Sequence, residues 1–179
     1  MYIKDIFANK KPVLSFEVFP PKKSNSIESV TSAIDEMAKL PIDYMSVTYG
    51  AGGSTSKKTA EVAQYMEDKL SLTALAHLTC VSSDREQIHS ALEDLKSRGI
   101  KNILALRGDI PKDSPYPVPG GYKYACELAA AIRDFGGFCV GGACYPECHP
   151  DCESLERDIE NLKIKVDSGV EFLVTQMFF

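Results

Sequence analysis

The sequence predicts an α/β fold of the (β/α)8 barrel type. Three observations predict it. Short apolar, β-branched runs recur about every 30 residues, the length of a strand–loop–helix unit. Most of these runs are apolar on both faces, as parallel strands buried on both sides must be. Each is followed by a polar loop and an amphipathic stripe that ends at a Gly or Pro break. A doubly wound sheet, the competing architecture, marks its first strand–helix turn with a Gly-rich phosphate loop. Here that turn reads Phe19-Pro20-Pro21-Lys22, which cannot serve.

Strands are expected over residues 13–19, 44–49, 73–80, 102–106, 138–145 and 171–178. The first helix carries the stripe Ile27, Val30, Ile34 and Met37, behind a capping box of Asn25 and Glu28. Val62, Ala63, Met66 and Leu70 form the second stripe. Ser83 and Glu86 make a capping box ahead of Ile88, Ala91, Leu92 and Leu95, and Gly99 stops that helix. Ala125, Leu128, Ala129 and Ile132 form the fourth stripe, ended by Gly136-Gly137. Leu155, Ile159, Leu162 and Val166 form the fifth, ended by Gly169. A barrel needs eight strands and typically about 250 residues. The 179 residues supply six, and an apolar final strand would leave a raw edge. The expectation is therefore one catalytic barrel domain over residues 1–179, holding the first six βα units and cut before strands 7 and 8.

Charge narrows the function. There are 20 Lys+Arg against 25 Asp+Glu, a net charge of −5, which argues against a nucleic-acid partner. No run approaches the roughly 18 apolar residues of a membrane span. The N-terminus shows no signal pattern, so a cytoplasmic setting is expected. The six cysteines are then read as thiols in a reducing compartment, not as a disulfide framework.

Polar residues sit where the strands end. The runs close on Glu17; on Thr48; on His77 and Thr79; on Arg107 and Asp109; on Tyr145, Glu147 and His149; and on Thr175 and Gln176. In a (β/α)8 barrel these ends converge on the catalytic face. Ordinary loop polarity explains any one of them, but not six coincident strand ends. Glu17 lies between Phe16 and Val18, so its carboxyl group is expected to be poorly solvated, a setting that favours the neutral acid and suits proton donation. The Gly-rich stretch over residues 50–55 could cradle a phosphate through backbone N–H groups, or be a plain loop. Cys144, Cys148 and Cys152 have C-x3-C-x3-C spacing with His149 inside the run. Zinc or an iron–sulfur cluster is one reading, and unligated thiols are the default. Cys126 and Cys139 read as small core residues.

The segments Ser15-Phe16-Glu17-Val18-Phe19-Pro20-Pro21, Val47-Thr48-Tyr49-Gly50-Ala51-Gly52-Gly53, His77-Leu78-Thr79-Cys80, Leu104-Ala105-Leu106-Arg107-Gly108-Asp109, Tyr145-Pro146-Glu147 with His149, and Thr175-Gln176-Met177-Phe178-Phe179 follow one another in order. Together they closely resemble the flavin-dependent, bacterial-type catalytic domain of the methylenetetrahydrofolate reductase family, a (β/α)8 enzyme of one-carbon metabolism. The resemblance runs over essentially the whole chain. It implies FAD at the strand C-terminal ends, reduced by NADH or NADPH, and a folate substrate, 5,10-methylenetetrahydrofolate, that is reduced to 5-methyltetrahydrofolate. It implies Glu17 as the general acid that opens the folate five-membered ring to an iminium ion. It implies Asp109 as the carboxylate beside the flavin, favouring the cationic folate intermediate. Gln176 resembles the family's folate-contacting glutamine, so Glu17 and Gln176 are the expected substrate contacts. Thr48, His77, Arg107, Gly108, Asp109, Tyr124, Tyr145, His149, Asp158, Asn161 and Lys165 fall where the family contacts FAD. Arg107 and Lys165 suit the flavin's phosphates by charge alone. Asp158, Asn161 and Lys165, spaced i, i+3, i+7, share one helix face. The family forms homo-oligomers, and no metal site belongs to its pattern; nor does the Cys144, Cys148 and Cys152 set. Two other readings stand beside this one: a flavin-free pterin-binding barrel, and a non-catalytic partner subunit that uses the cysteine set for metal.

Overall fold

The computed structural model describes residues 1–21, 26–49, 56–110 and 116–179. Six strands form one sheet: β1 (Ser15–Val18), β2 (Tyr44–Val47), β3 (Thr73–Thr79), β4 (Asn102–Leu106), β5 (Cys139–Cys144) and β6 (Phe172–Thr175). Their order is β1-β2-β3-β4-β5-β6, and every neighbouring pair is parallel. A doubly wound sheet would reverse its strand order at a switch point, and this one does not. The helices are α1 (Ile3–Asn9), α2 (Glu28–Met37), α3 (Ser56–Leu70), α4 (Arg85–Ser97), α5 (Ala125–Phe135) and α6 (Leu155–Asp167). One helix follows each of the first five strands, and the sixth unit is represented by its strand. No helix among the described residues is long and apolar enough to cross a membrane.

Alternation along the strands sorts side chains onto two faces. Met45, Val47, Ala74, Ala76, Leu78, Ile103, Ala105 and Val140 face the helices and pack against Ile34, Val62, Met66, Ile88, Leu92, Leu128 and Ile132. Their alternates Tyr44, Leu75, Leu104, Cys139 and Phe172 pack on the other face with Ile3 and Ile6 of α1. That second face is concave. The Phe7 ring touches both Tyr44 on β2, at 6.2 Å between centroids, and Phe172 on β6, at 5.8 Å. In a flat sheet those strands would be about 19 Å apart, too far for one phenyl ring to reach both. The sheet is curled as in a barrel, and α1 plugs its N-terminal end.

The sequence reading did not anticipate α1, because seven residues are too few for a helical period to register. It is fixed by one buried side chain. Asn102 Oδ1 accepts from the Ile3 N–H at 2.8 Å, and its Nδ2 donates to the Met1 and Ala74 carbonyls at 3.0 and 3.1 Å. Two helix starts also differ from expectation. α4 is capped one residue later, by Asp84 and Gln87. Asp84 Oδ1 accepts from Gln87 N at 2.8 Å, and Gln87 Oε1 accepts from Asp84 N at 3.0 Å. Both frames satisfy the capping-box pattern, and extended backbone at Asp84 selects this one. α2 begins at Glu28 after Ile27, with no side-chain cap, so Glu28 stands at the first helical position and cannot close a box as the third. Asn25 lies outside the described residues.

Gly141 on β5 is required by close packing. A Cβ there would lie 2.5 Å from Phe172 Cζ and 3.0 Å from Leu104 Cδ1. Gly141→Ala is expected to lower stability by about 1–3 kcal/mol through overpacking. The check is the urea midpoint, which should fall at constant slope.

Candidate functional site

The concave face carries its polar groups toward the strand C-termini, where the apolar layer gives out. Register places Glu17 of β1 beside Ser46 of β2. Ser46 Oγ donates to Glu17 Oε2 at 3.3 Å, and His77 Nε2 of β3 lies 3.5 Å from the same oxygen. Ser46 and His77 are buried. Glu17 is not: half of its side chain is exposed, against the expectation of a poorly solvated carboxyl group. Among the described residues β1 pairs with β2 alone.

His77 Nε2 is a buried polar atom without a hydrogen-bond partner among the described residues. The Glu17 contact at 3.5 Å is charge proximity and not a formed hydrogen bond. Burial pushes the His77 pKa down from 6.5 to about 4, and the half-solvated Glu17 does not offset it. The imidazole is therefore neutral at pH 7 and sets no cation against Glu17. A linkage effect follows. The unfolded chain protonates His77 at higher pH than the native state does, so stability falls as pH drops from about 6.5 to about 4, by about 3 kcal/mol in full. Urea midpoints across that window should show the loss in the wild type and a flatter profile in His77→Leu. Equal slopes would contradict it.

A second feature opens between β4, β5, α5 and α6. It is a cleft of about 720 Å³, lined by Arg107, Tyr124, Ala125, Cys126, His149, Asp151, Cys152, Glu153, Arg157, Asp158, Asn161, Ile164 and Lys165. Asp158, Asn161 and Lys165 all reach it from one face of α6. Lys165 Nζ donates to the Ala143 carbonyl at 2.6 Å. Burial pulls this ammonium below its ordinary range, opposed by the charge of Asp158. Arg107 Nη2 pairs with Asp151 Oδ2 at 3.1 Å. The start of α5 lines the same cleft and has no side-chain cap, so its first N–H groups add positive potential there.

The loop after β5 closes one side. The His149 backbone N–H donates to Asp158 Oδ2 at 2.9 Å, which ties the loop to α6. His149 Nδ1 accepts from Asp151 N at 3.0 Å, so a neutral imidazole carries its proton on Nε2. The Tyr145 and His149 rings meet edge to face at 4.6 Å.

The predicted residues thus fall into three groups. Arg107, Tyr124, His149, Asp158, Asn161 and Lys165 share the cleft. Glu17 and His77 meet on the concave face. Thr48, Gly108, Asp109, Tyr145 and Gln176 occupy the loops that follow the strands at the same C-terminal end of the sheet, with Asp109 and Gln176 exposed. Thr48 N donates to the Val18 carbonyl at 3.0 Å, and Gln176 N to the Cys144 carbonyl at 2.8 Å. Gly108 has φ +87, and a Cβ there would sit 2.8 Å from Val81 Cγ1, so only glycine lets the chain turn beneath the site. The stretch over residues 50–55 lies outside the described residues.

Sequence reasoning missed Ser46 and Asp151. Ser46 was within reach, because period-two alternation puts it on the face of Thr48 and beside Glu17. Asp151 had no such signal, since its partner Arg107 is 44 residues away. Among the described residues, no group of three or more His, Cys, Asp and Glu side chains is placed to hold a metal ion. Cys80 and Cys139 are buried thiols, each pushed up to about 11 by burial and therefore inert.

Comparison with known proteins bears on this geometry. The family model described as methylenetetrahydrofolate reductase matches residues 2–179. A 5,10-methylenetetrahydrofolate reductase of Pectobacterium carotovorum subsp. carotovorum is 37% identical over 166 residues, covering 93% of this chain and 54% of its own. Methylenetetrahydrofolate reductase (NADH) 1 of Arabidopsis thaliana is 38% identical over 192 residues, covering 99% of this chain and 32% of its own. The chain thus spans about half the length of the first relative and a third of the second. Among solved structures, an uncharacterised Clostridium thermocellum protein that binds two copies of 5-methyl-5,6,7,8-tetrahydrofolic acid superposes with a TM-score of 0.68. It is 16% identical and covers 99% of this chain and 58% of its own, a likeness of fold alone. The curled parallel sheet, the ordered strand-end motifs and the match from residue 2 to residue 179 agree, and the chain belongs to the methylenetetrahydrofolate reductase family.

Proposed function

We propose that residues 1–179 are the first six βα units of one catalytic barrel domain that reduces 5,10-methylenetetrahydrofolate to 5-methyltetrahydrofolate, using FAD and NADH or NADPH. The observation that carries this reading is the convergence of Arg107, Tyr124, His149, Asp158, Asn161 and Lys165 on one cleft. Its volume lies within the range of small-molecule and cofactor sites. Arg107 and Lys165, two of the three cations that line it with Arg157, and the uncapped start of α5 suit a diphosphate. Asp158 and Asn161 suit hydroxyl groups. The orphaned His77 Nε2 suits a polar edge of a ring lying over the concave face. The name of the Arabidopsis relative supports NADH.

FAD, when bound, supplies the hydride transfer between nicotinamide and folate. The chain supplies position and charge. Lys165 and Arg107 would hold its phosphates, with Arg107 exchanging its Asp151 partner for the phosphate. Ser46 fixes the Glu17 carboxyl group by donating to Oε2. Glu17, half open to solvent, takes up a proton from water and gives it to the folate five-membered ring as that ring opens. Asp109 stabilises the positive charge that develops on the folate. Gln176 holds the folate through its amide.

The test is a visible absorbance and flavin-fluorescence titration of the protein, followed by the two half-reactions. Saturable binding of FAD and folate-dependent reoxidation are expected. Folate binding with no flavin uptake would overturn the reading in favour of a flavin-free pterin-binding barrel.

A further inference from the structure

The cleft balances its own charge. Arg107, Arg157 and Lys165 line it, and so do Asp151, Glu153 and Asp158. Cations hold a diphosphate and carboxylates repel it, so the acids in this lining need a physical account. Asp158 Oδ2 accepts from the His149 backbone N–H at 2.9 Å and so ties the loop after β5 to α6. Asp151 Oδ2 accepts from Arg107 Nη2 at 3.1 Å, across 44 residues of chain. The loop fixes Asp151 through its backbone: Asp151 N donates to His149 Nδ1 at 3.0 Å, and Cys152 N to the His149 carbonyl at 2.8 Å. The carboxylate is thus delivered to Arg107 by a loop anchored elsewhere. Its side chain is 64% exposed against 27% for Arg107, so the acid can swing into water while the guanidinium stays in the cleft.

We propose that Asp151 is a tethered competitor for the anion subsite of the cleft: its carboxylate takes the place on Arg107 that a phosphate oxygen takes, and so sets how tightly the cleft holds a diphosphate. The inference rests on the reading of the cleft as a diphosphate site. Carboxylate and phosphate oxygens offer a guanidinium the same charge-assisted acceptors, so Arg107 serves one or the other. A partly exposed ion pair is weak, and a group with two or more negative charges that also meets Lys165 displaces it. Arg157 is placed differently: its partner Glu160 lies about one turn along the same helix, 2.6 Å away, and is not among the residues lining the cleft. The Arg107 pair joins the end of β4 to the loop after β5. Displacement therefore frees that loop from β4, while the Asp158 tie keeps it on α6. Asp151 acts through Arg107 and is a positioning residue.

The test is a calorimetric titration of the protein with inorganic diphosphate at low and high salt. Asp151→Asn keeps the backbone ties and removes the charge, so it should bind diphosphate about 2- to 10-fold more tightly than the wild type. The gain should shrink as salt rises, because the charges are partly exposed. Asp151→Glu should keep an affinity near that of the wild type. With Arg107→Gln already in place, Asp151→Asn should add little, since the competition runs through Arg107. Asp151→Ser is the second variant and should agree with Asp151→Asn in sign. An Asp151→Asn protein that binds diphosphate as the wild type does, or more weakly, would overturn the proposal and leave the cleft reading standing. An equal gain with Arg107 replaced would do the same. No diphosphate binding by the wild type and Asp151→Asn alike would overturn both.

Discussion

Glu17→Gln is expected to abolish folate reduction while oxidation of the nicotinamide cofactor continues. The amide keeps the shape of the carboxyl group and can still accept from Ser46, but it has no proton to give. Loss of a positioned general acid costs roughly 100- to 10,000-fold in rate. That loss should fall on the folate half-reaction alone, because hydride arrival from the nicotinamide needs no proton from this side chain. Stability should hardly change, since Glu17 is half exposed and its removal leaves no buried charge behind. Rapid-mixing measurements of the two half-reactions on FAD-loaded protein provide the check. Equal loss in both would remove Glu17 from the acid role and make it a cofactor contact.

Lys165→Met is expected to weaken FAD binding by roughly 10- to 100-fold. The stem is kept and only the ammonium is lost. A charge-assisted hydrogen bond is worth about 1.5–3 kcal/mol, and each ~1.4 kcal/mol is tenfold in affinity. Lys165 also satisfies the Ala143 carbonyl at the end of β5, so the variant should lose some stability as well. Lys165→Arg separates the two effects: it keeps the charge, and most of the affinity should return. An equilibrium titration of flavin fluorescence measures both variants. A variant that is less stable yet binds FAD as tightly as the wild type would make Lys165 a scaffold residue.

How much of this was legible in the sequence depended on the range of the interaction. All six strands were readable: β2 to β5 are buried on both faces over most of their length and must be apolar, and β1 and β6, although partly exposed, keep apolar residues such as Phe16, Val18, Phe172 and Val174. The α6 face was readable too, since Asp158, Asn161 and Lys165 are brought together by helical period alone. Three features were not. The α1 helix owes its place to Asn102, some hundred residues away in the chain. The frame of the α4 cap turned on backbone extension at Asp84, when Ser83 offered the same chemistry one residue earlier. The half exposure of Glu17 is not revealed by its apolar neighbours Phe16 and Val18. Motif order pointed to the family; the division of the site into a cleft and a concave face came only from the fold.

The central claim is that these two parts serve one bound cofactor. A crystal structure of the protein grown with FAD measures it directly. The account predicts the diphosphate between Arg107 and Lys165, with the flavin ring within hydrogen-bonding distance of His77 Nε2 and in contact with Glu17. A nucleotide held in the cleft with its ring turned away from the concave face would contradict it.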